Sequence, residues 1–194
     1  MIKVENIETW GFEHAIRGMR NPLNSWSRSD SSFGYEAYSG EFVPDLKIGE
    51  NDLKLMRQLY VGGQPHRKYL RQIFAVMDIT APLYWWKEFD TYKVGTTANS
   101  CSTMHKIAAM EFSIEDFSDE HLETGWLACL DDTIIPLLNR ARTKFIATKD
   151  KRYWWQMIQL LPSSYNQRRT VSMTYENVMN MLDYREGHKL DEWR

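Results

Sequence analysis

The chain has 194 residues, 43% of them hydrophobic, and a net charge of −2. That length suits one compact domain with a real core, and the near-neutral balance gives no general argument for a nucleic-acid or membrane partner. Only Cys101 and Cys129 are present and they lack CxxC spacing, which excludes a disulfide framework or a zinc site, so no metal is expected.

The first residues, MIKVENIETWGFEH, hold no apolar signal segment, and no apolar run approaches a membrane span; the expected compartment is cytoplasmic. Residues 1–49 read as an irregular N-terminal arm, because NPLNSWSRSDSSFG gathers Pro22, Gly34 and a Ser/Asn/Asp cluster. Within it Arg17, Arg20 and Arg28 surround the Ser-rich stretch, where they can hold a phosphate or form local ion pairs. Residues 50–194 read as one domain. Leu55, Met56, Leu59 and Tyr60 give residues 51–61 a helical spacing, stopped by Gly62-Gly63. Residues 69–80 are rich in β-branched and aromatic side chains and predict a strand in part. Pro82 fits the first turn of a helix through Leu83, Trp86 and Phe89.

The small polar stretch 95–105, GTTANSCSTMH, predicts a loop or strained turn. Ser113 and Asp116 form a capping-box variant. Leu122, Trp126, Leu130, Ile134, Leu137 and Phe145 trace one stripe through 119–147, interrupted at Pro136. Asp150 caps a helix carrying Trp154, Trp155, Ile158 and Leu161 and ended by Pro162. RTVSMTY (169–175) alternates like a strand, and 177–184 reads as a helix delivering Arg185 at or near its end. The five histidines (14, 66, 105, 121 and 188) are scattered, and no HExxH, GxSxG, P-loop or GxGxxG occurs.

Two segments carry a resemblance. PLYWWKEFDTYKVGTTANSCSTMH (82–105) is similar to the signature region of the flavin-dependent thymidylate synthases: Asn99 and Ser102 match the motif's Asn and second Ser, and Thr97 stands for its first Ser. Tyr92, Lys93 and Val94 replace the family's Arg-His-Arg triplet, while Ser100, Met104 and His105 replace its Glu, Arg and Tyr. LLPSSYNQRRTVSMTYENVMNMLDYREGHKLDEW (160–193) resembles the family's C-terminal pattern through Leu161-Pro162, Met179-Asn180, Leu182, Arg185, His188 and Glu192, with Thr174 and Glu176 departing from it. A weaker match, ENDLKLMRQLYVGGQPH (50–66), puts His66 at the family's histidine.

The resemblance implies an α+β fold with a central, mainly antiparallel sheet packed by helices. It implies a pyrimidine nucleotide, dUMP, bound by Thr97, Asn99, Ser102 and Arg185, with Arg185 also the catalytic candidate. FAD would be met by His66, Lys93, Asn180 and His188. NADPH and methylenetetrahydrofolate would be needed for activity, and the assembly would be a homotetramer with Ser102 and Arg185 facing one pocket across a subunit boundary. Loss of the triplet, the motif Glu and the motif Arg together weighs toward the alternative, a non-catalytic or repurposed relative that keeps a nucleotide pocket or serves as an interaction module. From the residues alone, Arg185 is also a helix-end arginine, Ser102 and Asn99 are turn or cap residues, and the Trp85-Trp86 and Trp154-Trp155 pairs are either stacking surfaces or core.

Overall fold

The computed structural model describes residues 2–38 and 41–193. It is a mixed α/β fold with an antiparallel four-stranded sheet and helices, as the sequence implies. The sheet is ordered β1 (Lys3–Trp10), β4 (Phe74–Pro82), β6 (Asn166–Thr174), β5 (Thr96–Ser100); β2 (Ser32–Tyr38) and β3 (Glu41–Lys47) form a separate antiparallel pair with Ser32 opposite Lys47. Two compact units divide the chain: one comprises residues 1–7, 77–171 and 187–194, the other 8–76 and 172–186. Among the described residues no helix is long and apolar enough to cross a membrane.

In the first unit, a helical hairpin supplies the core. Helix α5 (Thr124–Cys129) runs through a π stretch (Leu130–Ile134) into α6 (Ile135–Thr148), and α7 (Lys151–Leu160) packs back on it. Leu130, Ile135, Leu138, Ala141 and Met157 are buried together with Ile107, Phe112 and Phe117. Pro136 therefore does not break the long helix. Proline has no N–H for the turn before it and its ring crowds the carbonyl four residues back; widening that turn to π spacing relieves both. Of the expected stripe, Leu130, Ile134 and Phe145 pack in this core beside Ile135, Leu138 and Ala141, while Leu122, Trp126 and Leu137 are exposed.

Asp150 caps α7 as the sequence predicts, accepting the Arg152 N–H at 2.9 Å. Ser113 and Asp116 form their capping box. Across the sheet, Asp78 on β4 accepts from Thr170 and Arg168 on β6 and from Asn6 on β1, at 2.6, 2.7 and 2.8 Å. The hydrogen bonds from Thr170, then Arg168 and Asn6, hold its carboxyl well below the usual carboxylate range.

The N-terminal expectation of irregular structure is corrected in the second unit. Helix α1 (Phe12–Arg20) buries Ala15, Ile16 and Met19 against Leu55 of α2 (Glu50–Val61) and against Tyr69, Leu70 and Ile73. Phe12, Ile16 and Met19 carry a helical apolar spacing, which the Ser-rich tract beside it masks in the sequence. That tract is ordered by α2. The N-cap position of α2 is Gly49, which has no capping side chain, and Asp30 substitutes for it by accepting the Asn51 and Asp52 N–H groups at 2.9 and 3.1 Å.

Asp52, with 0% exposure, is the hub of this unit. Its Oδ1 accepts Arg20 Nε at 2.6 Å, and its Oδ2 accepts from Ser29 and Ser31 Oγ and from the Asp30 and Ser31 N–H groups. Arg20 is thus half of a buried ion pair and no longer a candidate for holding a phosphate. Gly11 precedes α1 at φ +94°, and a Cβ there would lie 2.1 Å from the Gln72 carbonyl oxygen. Gly11→Ala should cost about 2 kcal/mol through strain and clash. A urea-denaturation midpoint unchanged from the parent would contradict this.

Candidate functional site

The candidate residues fall into two groups, one in each unit. In the first unit, Thr97 and Asn99 lie on β5, at one end of the strand order, where the small polar tract predicted a loop. Both are exposed, and alternation along the strand puts them on one side. The tract holds as a strand because β6 supports it: Cys101 N–H donates to the Arg168 carbonyl at 2.9 Å, and Gln167 Nε2 donates to the Cys101 carbonyl at 2.8 Å. Asn99 is accordingly not a turn cap.

Ser102 is a cap. It begins α4 (Thr103–Lys106), and its Oγ accepts the His105 N–H at 2.9 Å. A hydroxyl has one proton and two lone pairs, so this acceptor role leaves its proton to donate outward. The segment is braced from α7, where Trp154 Nε1 donates to the Met104 carbonyl at 2.8 Å.

Helix α3 (Leu83–Phe89) starts after Pro82, which occupies the N-cap rather than the first turn. It buries Trp85, Trp86 and Phe89, which resolves the first tryptophan pair as core. Trp86 donates Nε1 to the Gln167 carbonyl at 3.0 Å, and the Arg169 guanidinium lies 4.1 Å from its ring centroid. Arg169 Nη1 in turn donates to Asp90 at 2.8 Å.

Lys93 sits beyond α3 in a shallow pocket of about 160 Å³ lined by Phe89, Asp90, Tyr92, Thr96 and Ala98. A carboxylate therefore shares the pocket with the one charge left from the family's triplet. His188 is engaged at both ring nitrogens: Nδ1 accepts the Leu190 N–H at 3.1 Å, and Nε2 lies 3.3 Å from Glu88. With Nδ1 accepting, the neutral ring carries its proton on Nε2, facing that carboxylate.

In the second unit, His66 is exposed and lines a pocket of about 370 Å³ with Met19, Asn21, Leu23, Lys68 and Gln72. Its neighbour Arg67 ties this loop to α8 (Tyr175–Arg185). Glu176, Asn180 and Asp183 recur along one face of that helix. Arg67 Nη2 donates to Asn180 Oδ1 at 3.1 Å, its other nitrogens lie 3.9 Å from Glu176 and 3.8 Å from Asp183, and its guanidinium stacks on Tyr60. Asn180 is thus spoken for by Arg67, a residue the motif comparison passed over although it adjoins His66. The Tyr60 hydroxyl donates to Asp183; this hydrogen bond, with burial and the negative charge adding to it, raises its pKa above the usual phenol range. Arg185 is the last residue of α8, as predicted. Among the described residues, no group of three or more His, Cys, Asp and Glu side chains could hold a metal ion.

No protein-family model matches the sequence, and no curated protein matches it. Solved structures do. Thymidylate synthase X (ThyX) from Helicobacter pylori, crystallised with FAD and dUMP, matches with a TM-score of 0.71 at 15% identity, over 98% of this chain and 88% of its own. A second structure of that flavin-dependent thymidylate synthase, complexed with FAD and dUMP, matches with a TM-score of 0.67 at 16% identity, again over 98% and 88%. The fold is that of the flavin-dependent thymidylate synthases. The UMP/dUMP methylase PolB from Streptomyces cacaoi, bound with 5-Br UMP, has the same ThyX-type fold, with a TM-score of 0.59 at 13% identity over 95% of this chain and 76% of its own. In the ThyX-type fold of this chain, Tyr92-Lys93-Val94 lies in the link between α3 and β5, and Arg185 closes α8.

Proposed function

We propose that the chain binds a pyrimidine nucleoside monophosphate, dUMP or a close relative, with Ser102 and Arg185 as phosphate and base donors in a site completed by a second copy. The observation that carries this reading is a ThyX-type fold covering 98% of the chain, shared with proteins crystallised with dUMP. The local geometry supports it. Ser102 keeps a hydroxyl proton for an anion, beside exposed Thr97 and Asn99. A guanidinium such as that of Arg185 can bridge two phosphate oxygens or a pyrimidine carbonyl edge. The exposed Trp126 in one unit and Leu182 in the other favour a homo-oligomer, a tetramer by analogy with the resembled family, in which these side chains are covered. The compartment proposed is the cytoplasm.

Isothermal calorimetry with dUMP tests the reading. The parent chain should bind in the micromolar range, and Arg185→Ala should weaken binding at least about tenfold, since a charge-assisted hydrogen bond contributes about 1.5–3 kcal/mol. Absence of any heat from the parent chain would refute it.

The donors present do not suit a flavin dinucleotide. Its pyrophosphate needs several charge-assisted donors. Lys93 shares its pocket with Asp90, His188 faces Glu88, and the Asn180 side-chain oxygen is taken by Arg67. We expect no saturable flavin binding below about 1 μM, because two missing charged bonds weaken affinity roughly a hundredfold or more. The binding reading therefore ranks ahead of flavin-dependent methylation. The catalytic reading, with FAD, NADPH and methylenetetrahydrofolate, keeps its support from relatives crystallised with FAD. Sub-micromolar flavin binding lost in Lys93→Ala would reverse that order.

A further inference from the structure

The second tryptophan pair behaves differently from the first. On α7 the core stripe is complete with Trp154, Met157, Ile158 and Leu161, all of which belong to the hairpin core. Trp155 lies off that stripe and is 45% exposed, whereas Trp85 and Trp86 are 5% and 1% exposed. Burial of the helix does not require it. A large aromatic ring left at the surface beside a cation, on a helix already committed elsewhere, fits stacking against a planar ligand.

Its neighbours follow one line. Lys151, Trp155 and Gln159 recur at four-residue intervals along the exposed side of α7, spanning roughly 12 Å at the helical rise. Lys151 Nζ lies 5.8 Å from the ring centroid of Trp155 and the same distance from that of Trp154. The two indoles meet edge to face at 4.8 Å, which fixes the orientation of the outer ring through the inner one. Trp154 is itself pinned, by its bond to the Met104 carbonyl two residues past Ser102.

We propose that Lys151, Trp155 and Gln159 form a nucleotide-reading stripe, in which the indole stacks on the pyrimidine, the ammonium attracts the phosphate, and the carboxamide pairs with the base edge. The inference rests on the nucleotide-binding reading above and assigns that site a platform outside the matched motifs. The ammonium lies at one end of the stripe and the two base-contacting groups follow it, as phosphate and base lie at opposite ends of a nucleoside monophosphate. A carboxamide offers a donor and an acceptor side by side, which suits the adjacent N–H and carbonyl of a uracil ring. The Trp154–Met104 bond holds the stripe's helix against the segment that begins at Ser102.

Calorimetry with two probes, dUMP and the base-less 2-deoxyribose 5-phosphate, tests the stripe, with a thermal melt of each variant as control. Trp155→Ala should weaken dUMP about tenfold or more, Trp155→Phe should keep most of the affinity, and neither should change binding of the base-less sugar phosphate. Lys151→Met should weaken both probes. The proposal is overturned if the parent binds dUMP and Trp155→Ala binds it equally well, or if Trp155→Ala weakens both probes alike. It is also overturned if Trp155→Ala alters sedimentation while leaving dUMP affinity intact, which would make Trp155 a contact between copies. Failure of the parent chain to bind dUMP would remove the nucleotide reading itself and the stripe with it.

Discussion

Asp52→Ala is expected to be among the most damaging single substitutions in this chain, costing about 3–5 kcal/mol, a large share of a typical domain's 5–15 kcal/mol. The side chain is wholly buried and accepts five hydrogen bonds, one from Arg20 and four from residues 29–31. Its removal leaves the Arg20 guanidinium, which is 4% exposed, as an unpaired charge in the interior. That guanidinium is already imperfectly met, since its Nη2 has no partner, while Nη1 reaches the Ser25 carbonyl at 3.2 Å. The Ser-rich segment should loosen together with α2, because Asp30 and Asp52 hold each other's backbone N–H groups.

The same group sets an acid limit. Burial raises the Asp52 pKa, but the hydrogen bonds from Ser31, Ser29, Arg20 and the Asp30 N–H outweigh burial and bring it down to about 2. A carboxyl depressed in the folded state stabilises the fold fully above its unfolded value near 3.8, and that contribution is lost as pH falls from about 4 through about 2. Roughly 2 kcal/mol of stability should disappear over that window in the parent chain and not in Asp52→Asn. Urea titrations at a series of acid pH values check both points. A stability loss for Asp52→Ala below about 1 kcal/mol would contradict the account of the hub.

Trp86→Ala should be comparably costly, at about 4 kcal/mol, as expected for emptying a large aromatic site. The ring is 1% exposed and packs against Trp85 and Phe89. Its loss strips the Gln167 carbonyl of its indole donor and the Arg169 guanidinium of the face it covers. Gln167 also anchors the Cys101 carbonyl just before Ser102, so the damage should reach β5 and the Ser102 cap. Trp86→Phe keeps most of the aromatic packing but not the N–H and should recover much of the loss. Melting curves of the two variants decide this: equal destabilisation by both would mean that the hydrogen bond, rather than the packing, dominates.

What could be read from the residues differed between the two halves of the chain. Helices α2, α7 and α8, the capping box at Ser113 and the cap at Asp150 follow local rules, namely periodic apolar spacing and short-range hydrogen bonds, so they were legible. Strand β5 was not, because Thr-Thr-Ala-Asn-Ser has no apolar face of its own; its order comes from residues some seventy positions later, on β6. The π stretch before α6 was hidden for a similar reason: Pro136 announces an interruption but does not say that the interruption will be a widened turn. Strand β1 carries exposed residues on both sides and shows no alternation to detect. The motif comparison singled out Ser102, which caps α4, and Arg185, which ends α8. It could not reveal that Asn180 is held by Arg67 or that His188 faces Glu88, because such pairings join residues far apart in sequence.

The most direct test of a nucleotide site shared between copies is complementation by co-expression. Ser102→Ala and Arg185→Ala chains, each purified alone, are titrated with dUMP and then compared with oligomers assembled from both chains together. Each variant alone should bind weakly, while mixed oligomers should regain a fraction of sites with parental affinity, because some sites then join an intact Ser102 from one copy to an intact Arg185 from another. Mixed oligomers that bind no better than the two variants alone, or single variants that bind dUMP as tightly as the parent, would contradict the account.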